Sequence, residues 1–274
     1  MKQLISKNLL SAAVAATLML GAGAVHAAPF SITEPTNPVL APLTGIELIA
    51  GGYTETAVFN TNGTFTTTIL FNAAEYRNNA NQTIASGLGG RPAGYQLYAY
   101  LTTSGTYTSS GSATNPIANF TFAPGGNLSL YLSKDGTTTF AANSSTIAGR
   151  TDNGVADVLL ATVALSSGTG LLDTTLATCP TTPGAPGANC GSFGTFAPFA
   201  LTADGSAFFT APVPFYNLSA EGGLLARFNP TGTQTITGSL EVRFNNQVPE
   251  PESIALFGIG LAGLGLAMRR RKQA

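Results

Sequence analysis

Gly52-Tyr53-Thr54-Glu55-Thr56-Ala57-Val58-Phe59, then Asn60-Thr61-Asn62-Gly63, then Thr64-Phe65-Thr66-Thr67-Thr68-Ile69-Leu70-Phe71-Asn72: two runs of alternating character flank an Asn-Gly pair. Tyr53, Glu55, Ala57 and Phe59 oppose Thr54, Thr56 and Val58, while Phe65, Thr67, Ile69 and Phe71 oppose Thr64, Thr66, Thr68 and Leu70. A period of two puts successive side chains on opposite faces of an extended chain, which a helix does not. Asn62-Gly63 supplies the positive φ angles of a tight two-residue turn, so residues 52–72 read as a β-hairpin.

Outward from the hairpin the same signs recur. Residues 95–101, 119–122, 128–132, 155–163, 196–202, 207–210 and 235–244 read as strands, and Pro124-Gly125-Gly126 and Asp135-Gly136 read as the clearest turns between them. No stretch between the two chain ends carries a convincing amphipathic helix. Faces that alternate between apolar residues and threonine leave each sheet one side to bury, which two sheets achieve by packing face to face. The expected fold is all-β, a two-sheet antiparallel β-sandwich, with a signal-peptide helix before it and a short hydrophobic helix after it.

Composition agrees and narrows the function. Of 274 residues 44% are hydrophobic and only 9% charged, with 32 Gly, 16 Pro and no Trp, far from the roughly 25% charge of an ordinary soluble domain. Twelve basic residues against thirteen acidic ones leave no cationic surplus for nucleic acid.

Both ends read as export signals. Lys2 and Lys7 precede an apolar run from Leu9 to Leu20, and Val25 and Ala27 stand where a signal peptidase reads small residues, placing the cut after Ala27. That cut removes His26, the single histidine, and with it the commonest general base and metal ligand. At the other end Pro249-Glu250-Pro251 precedes the apolar stretch from Ser253 to Met268 and then Arg269-Arg270-Arg271-Lys272. Its sixteen residues would make a helix of about 24 Å, short of the ~30 Å hydrocarbon core. The cations hold this end on the cytoplasmic side and leave residues 28–248 across the membrane. The organisation expected is signal peptide 1–27, exported domain 28–247 and sorting tail 248–274. From Ala28 to Val248 six basic residues face eleven acidic ones, a formal charge of −5, so contact with an anionic polymer would need hydrogen bonds or bridging cations.

Pro249-Glu250-Pro251, the glycine-rich apolar helix and the terminal arginine cluster together resemble the PEP-CTERM sorting signal. The resemblance implies handling by exosortase, a membrane enzyme of Gram-negative bacteria that make extracellular polysaccharide, with removal of the tail near the triplet. It thereby implies passage through the inner membrane and delivery to the cell surface or matrix. Within the body, Gly51-Gly52-Tyr53-Thr54-Glu55, Asn189-Cys190-Gly191-Ser192-Phe193-Gly194, Pro214-Phe215-Tyr216-Asn217-Leu218 and Gly238-Ser239-Leu240-Glu241-Val242 are similar to segments of flocculation-associated PEP-CTERM proteins. That resemblance implies a part in flocculation or biofilm with extracellular polysaccharide and carries over no catalytic residue.

The search for chemistry is short. Cys179 and Cys190 flank a Pro/Gly-rich loop and, in an exported chain, are expected to form a disulfide. Lys134 is the one lysine left after processing and stands in no Ser-x-x-Lys pattern. Asp152-Asn153-Gly154 with Asp157 offers oxygen ligands but departs from the calcium-loop pattern, and reads as a surface turn. Paired carboxylates of a hydrolase stay open, because their spacing in space is not legible. Gln96, Tyr98 and Tyr100 share one strand face, where rings beside an amide are candidates for glycan contact, against the alternative that the tyrosines fill the core. The expectation is a non-enzymatic exported surface or matrix protein without cofactor or metal. Its partners are signal peptidase, exosortase and extracellular polysaccharide, and its alternative is a carbohydrate-binding module of the cell surface.

Overall fold

A computed structural model describes residues 29–35, 41–89, 94–112, 114–152, 154–182 and 189–245. The signal peptide and its cut after Ala27, the triplet Pro249-Glu250-Pro251, the apolar tail and Arg269, Arg270, Arg271 and Lys272 lie outside the described residues, as does Asn153.

The hairpin of residues 52–72 is present and longer than its core: β3 (Leu48–Phe59) pairs antiparallel with β4 (Thr64–Arg77). Its loop differs from expectation. Only Gly63 of the Asn62-Gly63 pair has positive φ, at 79°. Gly63 N donates to Asn60 O at 3.1 Å, while Asn60 N donates to Thr64 O at 2.9 Å. This is a three-residue loop in which Asn62 takes ordinary turn dihedrals and Gly63 alone takes the left-handed position. Asn62 instead uses its side chain, accepting from Thr64 N at 3.1 Å.

Before the hairpin come β1 (Phe30–Ile32) and β2 (Leu43–Ile46); after it, in order, β5 (Thr83–Ile84), β6 (Gln96–Gly111), β7 (Pro116–Phe122), β8 (Asn127–Ser133), β9 (Val158–Ala164), β10 (Ser167–Asp173), β11 (Gly191–Ala197), β12 (Ala200–Leu201), α1 (Ala203–Phe208), β13 (Phe209–Ala211), β14 (Asn217–Leu225) and β15 (Gly232–Asn245). The two-sheet sandwich is not what forms. β6 pairs with β4 along one edge, from Thr64↔Thr106 to Asn72↔Tyr98, and with β7 and β8 along the other. The order β6-β7-β10-β11-β14-β15-β3-β4 therefore returns to β6 and closes a barrel of eight antiparallel strands. Strand alternation reports that one face is buried; it cannot distinguish two facing sheets from one sheet curled on itself.

Pro124-Gly125-Gly126 is not a reversal. β7 and β8 follow one another along the same edge of β6 as one strand with a kink. The kink is matched next door, where Gly125 N donates to Leu165 O and Leu165 N to Gly126 O, between β9 and β10. A third break, at residues 198–199, splits the expected strand 196–202 into β11 and β12. Along this line the sheet divides: β7, β10 and β11 stay in the barrel, while β8, β9 and β12 form a wing continuous with the first half of β6. The expected strand 207–210 is split between α1 and β13. Thr202 caps the helix by accepting from Gly205 N at 3.0 Å, and six residues are too few to show helical periodicity.

The interior is apolar, and its two ends are closed by phenylalanines. At one end Phe59, Phe65, Phe120 and Phe122 pack with ring centroids 5.4–6.0 Å apart. At the other, Phe30, Phe199, Phe209 and Phe215 surround Phe244 at 5.1–5.7 Å, and the small sheet β13-β1-β2 seats them. Such pairs contribute about 0.5–1.5 kcal/mol each beyond area burial. Between them the central cavity is about 40 Å³, room for water-sized guests rather than a ligand. Most inward positions are apolar and most threonines point out, with Thr67, Thr103 and Thr195 as buried exceptions, the reverse of the pattern of a membrane-spanning barrel.

Two adjacent glycines show how closely β3 and β4 pack at the bulge. A Cβ on Gly51, at a β-bulge, would lie 2.1 Å from Asn72 O, whereas one on Gly52 would meet nothing nearer than Gly238 O at 3.9 Å. Gly51→Ala is expected to lower stability by about 1–3 kcal/mol, and Gly52→Ala to change it by less than about 1 kcal/mol. Urea midpoints of the two variants check this directly.

Candidate functional site

The barrel end formed by the Asn60–Thr64 loop, hereafter the mouth, concentrates the unusual chemistry. The alternation that makes β3 a strand also carries Glu55 inward, between Tyr53 and Ala57. Its carboxylate accepts from Thr67 Oγ1 on β4 at 2.6 Å. Around it a cavity of about 30 Å³ is lined by Phe59, Phe65, Phe120, Phe122, Phe193, Leu225, Phe228 and Ile236. Burial among these rings pushes the Glu55 pKa up to about 7, against the opposing effect of the Thr67 hydrogen bond. Nearby, the Tyr53 hydroxyl is buried with no hydrogen-bond partner among the described residues, and burial together with the Glu55 charge drives its pKa up.

Outside the same mouth lies a groove of about 780 Å³. One wall is β15, which contributes Gln234, Thr235, Ile236 and Thr237; Asn115, Thr181 and the segment 226–229 line the rest. Phe228 borders both the groove and the Glu55 cavity, its ring stacked on Phe59 at 5.7 Å and 17°. Arg227 binds Thr114 O, donates to Asn115 Oδ1 at 3.0 Å and to Thr174 O at 3.4 Å, joining three parts of the rim. The Cys179–Cys190 disulfide closes the neighbouring loop, and constraining so short a loop stabilises by about 3 kcal/mol in the chain-entropy account.

The expected glycan face is partly overturned. Gln96, Tyr98 and Tyr100 do share the outward face of β6, but the excursion from Lys134 to Asp157 folds over it and leaves Tyr98 0% exposed. Tyr98 stacks on Tyr131 at 5.2 Å, donates its hydroxyl to Asp157 Oδ2 at 2.7 Å and accepts from Arg150 Nη1 at 2.8 Å. A ring so enclosed has no face for a sugar. Gln96 and Tyr100 remain partly exposed without it. The same cluster disposes of the Asp152–Asp157 ligand set: Asp157 is buried and also accepts from Thr138 Oγ1 at 2.7 Å, while Asp152 accepts from Gly154 N in a local turn. Among the described residues no three His, Cys, Asp or Glu side chains converge as a metal site would require.

Glu75, Arg77, Glu241 and Arg243 form an ion-pair cluster toward the opposite end, whereas outward positions elsewhere are hydroxyls in register: Thr64–Thr106–Thr121–Thr169 in one row, and Thr235–Thr56–Thr68–Thr102 in another, where Ser145 of the covering excursion bonds Thr56 at 2.8 Å and Thr68 at 2.9 Å.

The remaining site residues are those of the tail, where the family model for the PEP-CTERM protein-sorting motif matches residues 247–272. The chain carries a PEP-CTERM sorting motif. It spans Pro249, Glu250, Pro251 and the Arg269–Arg271 cluster in the order read from sequence. A PEP-CTERM protein is an exported protein that exosortase sorts at the membrane of Gram-negative bacteria, and exosortase is accordingly the processing partner. The chain matches no curated protein and no solved structure.

The groove had no forecast in the sequence. Arg227 is one of only six basic residues between Ala28 and Val248, a signal that marks a position without its surroundings. Glu55 was more legible, as a carboxylate on the apolar face of the hairpin.

Proposed function

We propose that the exported barrel is a non-enzymatic surface or matrix protein that helps hold cells and extracellular polysaccharide together in flocs or biofilm. Signal peptidase releases it after Ala27, the tail holds it briefly in the inner membrane, and exosortase processing near Pro249-Glu250-Pro251 delivers it outward. The observation that carries the polysaccharide part is the uncharged row of in-register threonines Thr64–Thr106–Thr121–Thr169. Hydroxyls both donate and accept, so rows of them suit a polyhydroxylated surface, and contact made this way depends little on salt. The sorting motif supports delivery to the compartment where such polymers lie.

The test is deletion of the gene in its own bacterium. Smaller flocs and polysaccharide lost to the medium are expected, with rescue by the intact gene; normal flocculation with unchanged polysaccharide retention overturns the aggregation role. The second reading, a carbohydrate-binding module, is favoured by one observation, the polar groove at the barrel mouth.

A further inference from the structure

We propose that this groove binds a neutral oligosaccharide, with Asn229, Gln234, Thr235 and Thr237 as its hydrogen-bonding groups and Phe228 as its stacking surface. The proposal deepens the polysaccharide reading above and rests on it for the choice of sugars to test; the location of the site rests on geometry alone.

Size separates the groove from the barrel interior. At about 780 Å³ it falls within the ~300–1,000 Å³ of small-molecule sites, while the internal cavities of about 40 and 30 Å³ do not. Chemistry selects the ligand. Asn229 and Gln234 each present a donor and an acceptor on neighbouring atoms, which is the pattern that adjacent sugar hydroxyls complement. Gln234 spends one N–H on Thr231 O at 2.8 Å and keeps its carbonyl oxygen for other work. Thr235 and Thr237 are exposed on the β15 wall. Phe228 is half-buried, held by Phe59 on the barrel side, so an apolar sugar face would stack on a ring already fixed.

Charge argues for a neutral ligand. Among the described residues the groove is lined by amides, hydroxyls and rings rather than carboxylates. Arg227, the one charged residue among the described residues lining it, directs its terminal nitrogens to Thr114 O, Asn115 Oδ1 and Thr174 O, acceptors that an anionic sugar would have to displace. Those bonds tie the rim together, and a rim rigid before binding loses little entropy on binding.

The experiment uses the full chain purified in mild detergent, an array of neutral hexose and N-acetylhexosamine oligosaccharides with uronic-acid oligosaccharides alongside, and calorimetry on the best array member. Binding to a neutral oligosaccharide is expected. The Asn229→Ala/Gln234→Ala double variant should weaken it at least tenfold with an unchanged melting temperature, while Tyr100→Ala on the outer wall leaves it intact. Binding by the double variant equal to wild type overturns the location. Binding only of uronic-acid sugars overturns the neutral assignment, and a blank array overturns the proposal as a whole. A deletion strain with impaired flocs beside a blank array separates the two ideas: the aggregation role stands and the groove does not carry it.

Discussion

Glu55→Gln makes the barrel more stable above pH 7 and removes most of its pH dependence between pH 5 and 8. The Glu55 carboxyl titrates near 4.5 in the unfolded chain and is pushed up to about 7 in the barrel by burial among phenylalanines. The folded state therefore binds the proton more tightly, and stability is fully present below pH 4.5, then falls as pH rises through 7. The difference of about 2.5 pH units corresponds to roughly 3 kcal/mol lost by pH 8. Glutamine keeps an oxygen for the Thr67 hydroxyl and carries no charge at any pH, so the variant avoids that loss. Glu75, Asp135 and Asp173 act with the opposite sign. Hydrogen bonds from Thr83, Thr137 and Thr175 hold them below their ordinary values, so what they contribute is lost only as pH falls into the acid range. With no histidine in residues 28–247, the interval from pH 5 to 8 is clear of imidazole titration. Urea midpoints at pH 5, 6, 7 and 8 should converge for wild type and variant at the acid end and diverge at the basic end; parallel curves would contradict the burial of an ionised Glu55.

Glu250→Ala blocks processing of the tail while leaving it able to insert. A carboxylate outside the bilayer adds little to insertion, so an ordinary anchor would not register its loss, whereas an enzyme reading Pro249-Glu250-Pro251 would. The variant is expected to accumulate in the inner membrane, with the extracellular form falling below a tenth of wild type. Neutralising Arg269, Arg270, Arg271 and Lys272 tests a different force. These charges resist translocation and retain an apolar stretch of sixteen residues, short for a span, so their loss should send the chain past the enzyme with its tail still attached. Immunoblots of membrane and medium fractions distinguish the two variants, and wild-type processing of Glu250→Ala would defeat recognition through the triplet.

How much of this was readable in advance differs by element. The β3–β4 hairpin announced itself because both strands carry strict alternation and share a loop with glycine at its left-handed position. β10 and β14 did not, since Gly168, Gly170, Gly222 and Gly223 break the pattern. α1 was missed because a six-residue helix is defined by the Thr202 cap and the shape of its seat against β9, neither of which has a period. Tyr98 illustrates the limit of face assignment: alternation put it on one face with Gln96 and Tyr100 without deciding whether that face was open, and a covering loop far along the chain buried it.

The sequence by itself determined the all-β class, the strand faces and the sorting tail. Alternation, turn residues and the order of triplet, apolar stretch and arginine cluster are local properties, written in consecutive residues. The Cys179–Cys190 pair belongs with them, since two cysteines in an exported chain leave one pairing. Tertiary structure alone decided that the sheet closes as a barrel, because the β4–β6 pairing joins strands whose meeting depends on the twist accumulated over the whole sheet. It alone decided the groove and the Glu55 environment, because Glu55, Phe120, Phe193 and Phe228 come from distant segments. Their effect on one carboxyl depends on the water they exclude together, which no single stretch of chain encodes.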